Sequence, residues 1–387
     1  MRNLILLLPF LIGCWSRTHH SLDHNCKKVD RLVQELISEK LALGVSYGIM
    51  VGDSLIMSES YGLAQLEPVV PLSVESSFRI ASVTKSFTAT AIMQLIESDK
   101  ISLDTPIESF LPDYPNASRI TIYHLLSHTS GIPNWWIGGM PEDEPTNFPM
   151  CKTPHKYLAR METPSLFEPG KQYDYSNSGY VLLGEILEHI SEQSYEAYLA
   201  EHIFQPAGMT HTEMEYQENS QANWAWGYGW NPEQEQPFVG PEPFSSGMPF
   251  SAGGLRSTIP DLLKFSTALL EGKLVSQATL DKMMQYSTLN SGEPGFTNLY
   301  LPEGHIRRFP PQTRNWGYGL GFEIAEKFGK KVISHGGDIM GYNAFFMYLP
   351  HNDIRFVILS NTEGGIMHKL LDMERALIAI EQAPSIP

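Results

Sequence analysis

The sequence predicts an α+β fold (an α/β sandwich), in which an antiparallel sheet formed from both chain ends is flanked by helices and a mostly helical domain is inserted between them. Three observations lead there. Strand-like apolar runs with short polar turns lie at 45–51 and 55–61, joined at Gly52-Asp53, and again at 331–334, 343–349 and 354–359. Between these two groups the apolar residues recur at helical spacing. The 42% hydrophobic and 18% charged content of the 387 residues supplies large cores and excludes a disordered chain.

In chain order, Met1-Arg2-Asn3 is a short cationic start, and residues 4–12 form an apolar run broken only by Pro9. The run is too short to span a bilayer as a helix and suits a secretory signal, so residues 1–13 read as a signal peptide. Leu11-Ile12-Gly13-Cys14 is similar to the bacterial lipobox. That similarity implies cleavage before Cys14, lipidation of Cys14, and an exported cell-envelope protein held to a membrane by its lipid anchor. An ordinary signal peptide is the alternative, and it exports the chain as well. Residues 14–26 then read as a polar tether, with His19, His20 and His24 as linker residues.

Val29, Leu32, Val33, Leu36 and Ile37 predict an amphipathic helix over 27–41. The runs 45–51 and 55–61 follow as an antiparallel hairpin. Helical patterns cover 84–98, 180–191, 195–204 and 260–271, and a last helix spans 366–380. Pro350-His351-Asn352-Asp353 is the turn between the final two strands. Two stretches rich in Pro, Gly and aromatic residues, 227–250 and 287–316, are long enough to be walls or lids of a site. The predicted division is a sheet domain of 27–82 with 251–387, and a mostly helical domain of 83–250 carrying active-site loops.

Charge narrows the partners. With 43 Asp and Glu against 27 Lys and Arg, the net charge is −16, and no Lys/Arg cluster exceeds two residues. A nucleic-acid partner is thereby excluded. Three Cys cannot build a disulfide scaffold. If Cys14 carries lipid, Cys26 and Cys151 remain to pair in an oxidising compartment, and sequence does not place them within bonding distance.

Ser82-Val83-Thr84-Lys85 stands just before the apolar helix pattern of Phe87, Ala91, Met93 and Ile96. Lys three residues after Ser puts an amine beside a hydroxyl on one helix face, and the helix start favours developing negative charge. That is one way to activate a weak alcohol nucleophile. Alone the signal is weak, since about one Ser-x-x-Lys arises by chance in a chain this long. Three further segments accompany it: 124–132 (His-Leu-Leu-Ser-His-Thr-Ser-Gly-Ile), 167–180 with Tyr175-Ser176-Asn177, and Ile333-Ser334-His335-Gly336-Gly337-Asp338.

In this order, Ser-x-x-Lys, Tyr-x-Asn and Lys/His-x-Gly, the chain resembles the serine β-lactamase and penicillin-binding protein family, in its class C and S12-peptidase-like branch. The likeness extends through 125–132, 167–180 and 251–264 and covers roughly 27–363. It implies a serine hydrolase in which Ser82 is the nucleophile and Lys85 and Tyr175 are its proton-transfer partners. Tyr175, with an ordinary pKa near 10, needs Lys85 beside it to act at neutral pH, and which of the two takes the Ser82 proton is left open. By the same resemblance Asn177 orients Lys85 and holds the acyl-side amide, while the backbone N–H groups of Ser82 and Asp338 form an oxyanion hole. Gly336 and Gly337 are then expected to let substrate approach the backbone closely.

The resemblance implies an acyl-enzyme on a small-molecule or peptide-like amide or ester, with D-Ala-D-Ala-type peptides or β-lactams among the possible substrates. A carboxylesterase using the same residues is one alternative, and a penicillin-binding sensor that acylates without turnover is another. No metal or organic cofactor is implied. The chain departs from the family at His335-Gly336-Gly337, where carboxylate-binding members commonly have Lys-Thr/Ser-Gly. A His of ordinary pKa about 6.5 is mostly neutral at pH 7 and Gly336 has no hydroxyl, so efficient β-lactam hydrolysis is not expected.

Other patterns are weighed and set aside. Gly44-Val45-Ser46-Tyr47-Gly48 matches a nucleophile elbow, but a helix precedes it and a strand continues through it, the reverse of what an elbow needs. His124 and His128 stand four apart as zinc ligands would, yet Leu125 replaces the usual Glu, and they read as structural hydrogen-bonders near the cleft. Trp135 and Trp136 are candidate pocket walls.

Overall fold

Eight strands pair into one antiparallel sheet in the order Val70–Pro71, Ser54–Gln65, Gly44–Val51, Ile354–Ser360, Tyr342–Leu349, Lys330–Ile339, Glu323–Lys327, Thr313–Tyr318. This computed structural model describes residues 8–135, 154–215, 223–231, 233, 238–239, 249–295 and 313–380. As the sequence predicts, both chain ends build the sheet, and they meet at its centre, where Val45 lies opposite Ser360 and Val51 opposite Ile354.

Because successive strand side chains point to opposite faces, each central strand feeds two cores. Val45, Tyr47 and Ile49, with Phe356 and Ile358, pack against Val29, Val33 and Leu36 of the first helix and Met373 and Leu377 of the last. Val357, Leu359 and Phe346 face the other way, into a larger core shared with the helical region. On that face the helix Ile259–Leu270 lies so close that a Cβ on Gly48 would come within 2.7 Å of Ile259.

The first helix differs from expectation. It runs unbroken from Leu8 to Ser38, so residues 14–26, read as a tether, are helical. No Gly or Pro interrupts 14–38, and Leu22, Cys26, Val29, Val33 and Leu36 keep one face turned to the sheet. Cys26 is a buried thiol in that face, and Cys151 lies outside the described residues.

Two strands, Thr313–Tyr318 and Glu323–Lys327, extend the sheet where no strand was predicted. Glu323-Ile-Ala-Glu-Lys is poor in β-branched and aromatic residues, so its strand state comes from pairing with Lys330–Ile339 rather than from propensity.

The predicted helices are present as Thr84–Glu97, Asn177–Ser191, Tyr195–Leu199 with a π-helical continuation over Ala200–Phe204, and Ile259–Leu270. Thr84–Glu97 is buried nearly all round, and Phe87 stacks on Phe265 of Ile259–Leu270 at 3.9 Å between ring centroids. A helix so enclosed holds its first turn at a fixed height above the sheet, which is where Ser82 stands. Among the described residues no helix is long and apolar enough to cross a membrane.

Candidate active site

Ser82 lies in a 3-10 turn, Ala81–Val83, that runs directly into Thr84–Glu97. Ala81, immediately before it, takes φ 45, a left-handed conformation that non-glycine residues seldom adopt. The backbone leading there is tied down from below. Arg256, 1% exposed, donates to the Ser77 carbonyl at 2.5 Å, and both Arg79 and Arg256 pair with the buried Glu215. Ser82 itself stays half-buried at the cleft.

One turn on, Lys85 is wholly buried, with Nζ 3.1 Å from Ser82 Oγ, 2.5 Å from Asn177 Oδ1 and 2.6 Å from the Ala252 carbonyl. The rings of Tyr175 and Tyr180 enclose it, their centroids 4.8 and 5.5 Å from Nζ. Burial pushes its pKa well below the usual lysine value, and among the described residues no carboxylate counters the effect. A neutral amine there has two N–H groups and one lone pair. Asn177 Oδ1 and the Ala252 carbonyl can only accept, so each takes an N–H, and in the neutral form the lone pair is the group that meets the Ser82 hydroxyl.

Asn177 starts the helix Asn177–Ser191, which Ser176 caps by accepting from the Gly179 N–H. The third motif lies on Lys330–Ile339. Pairing with Glu323–Lys327 stops at Ser334, whereas pairing with Tyr342–Leu349 continues to Ile339, so 335–339 has one edge unpaired by that neighbouring strand. This part of the strand packs on the Ser82 turn: a Cβ on Gly337 would fall 2.2 Å from the Ile80 carbonyl. Gly336 is different, since a Cβ there meets nothing within 4 Å. Gly337 is thus required for the strand to pack on the Ser82 turn, whereas the side of Gly336 faces open space. Asp338 is exposed at the strand's end, opposite Asn343.

Here a comparison with known proteins applies. A family model described as Beta-lactamase matches residues 29–380. The chain belongs to the β-lactamase family. A penicillin-binding protein of Bacillus subtilis (strain 168) is 27% identical over 354 residues, spanning 88% of this chain and 73% of that one. The octameric penicillin-binding protein homologue from Pyrococcus abyssi superposes with a TM-score of 0.75 at 29% identity, covering 93% of this chain and 78% of that one. D-amino acid amidase from Ochrobactrum anthropi SV3 shares the fold, with a TM-score of 0.73 at 23% identity and coverage of 91% and 99%.

Within this β-lactamase-family cleft, both ring nitrogens of His335 are engaged by the protein. Its Nδ1 lies 2.8 Å from the Gly336 carbonyl, which can only accept, so Nδ1 bears the proton. Nε2 lies 2.8 Å from the Tyr318 hydroxyl. Tyr318 is itself wholly buried, and burial together with the neighbouring tyrosines raises its pKa far above 10, which keeps that hydroxyl protonated.

His124 caps the short helix Ile122–Leu126 through a reciprocal box with Thr121, and His128 accepts from the Ser176 N–H at Nδ1, 3.1 Å away. His124 is thus a local helix cap and His128 a hydrogen-bonder beside Tyr175, and no group of three or more metal-ligating side chains occurs among the described residues. Ser46 sits inside the strand Gly44–Val51, its Oγ 2.8 Å from that of Ser60, far from any elbow geometry. Trp135 is 7% exposed, and Trp136 lies outside the described residues. Cys14 falls within the first helix.

Sequence reasoning missed Ala252, Tyr180, Tyr318 and Asn134. Ala252 acts through a carbonyl, which leaves no trace in residue type. Asn134 was legible only as a polar residue just beyond Ile132-Pro133. It donates to the Tyr175 carbonyl at 3.0 Å and accepts from the Asn177 N–H at 2.6 Å.

Proposed function

We propose that this chain is a serine hydrolase that forms an acyl-enzyme on Ser82 with amide or ester substrates. The observation that carries this is the placement of Lys85, buried, with no carboxylate partner among the described residues, and with Nζ 3.1 Å from the Ser82 hydroxyl. Ser82 Oγ attacks the substrate carbonyl carbon as its proton passes to Lys85 Nζ, and the carbonyl π electrons move to oxygen. The N–H groups of Ser82 and Asp338 receive that oxyanion. Collapse re-forms the carbonyl and breaks the bond to the leaving group, which takes the proton from Lys85 by way of Tyr175. Water then attacks the acyl carbon as the same pair takes its proton, and collapse breaks the bond to Ser82 Oγ, which takes that proton back.

For the substrate, amides of D-amino acids fit the name of the amidase neighbour, and D-alanyl peptides are the related amides an envelope enzyme would meet. Simple esters form a second reading, which the open side of Gly336 and the occupied ring of His335 favour over a carboxylated β-lactam. For localisation, we propose export through residues 1–13 and a lipid on Cys14, tested by incorporation of labelled palmitate that Cys14→Ala abolishes.

The decisive experiment is hydrolysis of D-alanyl-D-alanine peptides, D-amino acid amides and a short-chain nitrophenyl ester by wild type and Ser82→Ala, with mass spectrometry of the acylated protein. Turnover lost in Ser82→Ala, with a wild-type adduct on Ser82, supports the proposal; unchanged turnover in the variant overturns it.

A further inference from the structure

Tyr175 lies in no helix or strand, one residue before the Ser176 cap, yet its ring must stay against Lys85. What holds it is the segment 128–134, which grips four consecutive residues. The His128 carbonyl accepts from the Asp174 N–H at 2.9 Å. The His128 ring lies against the Tyr175 ring, 4.3 Å between centroids and tilted by 37°. His128 Nδ1 accepts from the Ser176 N–H, and Asn134 bridges the Tyr175 carbonyl and the Asn177 N–H. Asn177 Oδ1 in turn lies 2.5 Å from Lys85.

A backbone N–H can only donate, so Nδ1 of His128 must be the acceptor, and the proton of the neutral ring sits on Nε2. Nε2 meets no hydrogen-bond partner among the described residues. The ring instead presses edge to face on Tyr318 at 4.4 Å and lies 5.0 Å from Tyr180. His128 is 1% exposed and adopts φ 58, a left-handed conformation. Burial, with Lys85 and His335 nearby, holds its pKa well below the usual value, which preserves the accepting form.

We propose that His128 and Asn134 are positioning residues that hold Tyr175 and Asn177 in place against Lys85. This deepens the Ser82 hydrolase reading and rests on it for its kinetic consequence. Neither residue touches the reacting atoms; both act through the 174–177 segment.

The test compares His128→Phe, which keeps an aromatic ring and removes the acceptor, with His128→Asn, whose Oδ1 takes the place of Nδ1 and whose backbone tolerates positive φ. A displacement near 1 Å costs a rate of about 100-fold, so His128→Phe should lose about that much in kcat, with KM changed less than about threefold. His128→Asn should recover about tenfold of the loss. Asn134→Ala repeats the measurement should His128→Phe not fold.

A second readout does not need activity: spectra of ring-¹³C-tyrosine protein, with Tyr175 assigned by Tyr175→Phe. The Tyr175 signal should move in His128→Phe and Asn134→Ala while that of Tyr47, on the far face of the sheet, stays. An unmoved Tyr175, or equal kcat in all variants, overturns the clamp. A moved Tyr175 in a protein without Ser82-dependent turnover sustains the clamp and sinks the hydrolase reading.

Discussion

Tyr318 and His335 are joined by a buried hydrogen bond of 2.8 Å that ties the imidazole to a tyrosine of the protein's own interior. The position that holds a cationic Lys in carboxylate-binding relatives is thus a strut here. Next to it Gly336 leaves room for a side chain. Gly336→Thr should therefore be sterically accepted and would place a hydroxyl there. It should raise the rate at which a penicillin acylates Ser82, read as adduct formation by mass spectrometry; no gain over wild type would show that carboxylate binding is limited elsewhere.

Lys85 sets a pH dependence. Its amine must be neutral to accept the Ser82 proton, and its pKa is lowered by burial. Protonation on the acid side removes the base, so kcat/KM should rise with pH through that lowered pKa and level off above it. Lys85→Arg, charged at every accessible pH, should lose the rising limb along with at least about 100-fold in rate.

The same group works against stability at neutral pH. Its folded pKa lies below the unfolded value near 10.4, so between the two the unfolded chain binds more protons and stability climbs with pH. Denaturant unfolding should show this climb in wild type and a flatter profile in Lys85→Met.

The two neighbouring glycines should separate cleanly. Gly337→Ala drives a methyl into the Ile80 carbonyl beside the nucleophile, and it should abolish acylation and cost on the order of 1–3 kcal/mol, as overpacking does. Gly336→Ala meets open space and should stay within about 0.5 kcal/mol, as surface substitutions do. Thermal melts with active-site labelling distinguish the pair.

Much of this was legible in the sequence, because the informative signals were local. The hairpin at Gly52-Asp53, the strands after Lys330 and the helix after Ser82 each announce themselves by period and turn chemistry. Ser82, Lys85 and Asn177 were findable because their spacing is itself the chemistry, and they do converge on one amine. What stayed hidden was non-local. Glu323–Lys327 is a strand only because a partner lies alongside it, and the Ala252 carbonyl reaches Lys85 across 167 residues of chain. Tyr318 could not be tied to His335 before the sheet was known.

The meeting of both chain ends at the sheet's centre governs the timing of folding. The Leu43 N–H finds its acceptor, Thr362 Oγ1, 319 positions later, and the strand Gly44–Val51 finds one of its two neighbours only in Ile354–Ser360. A growing chain thus exposes a half-finished sheet edge until residues 354–360 have been made. Contacts of such long range make for slow closure, and an early stop before residue 354 would release a polypeptide with its central strand bare and ready to pair with another copy.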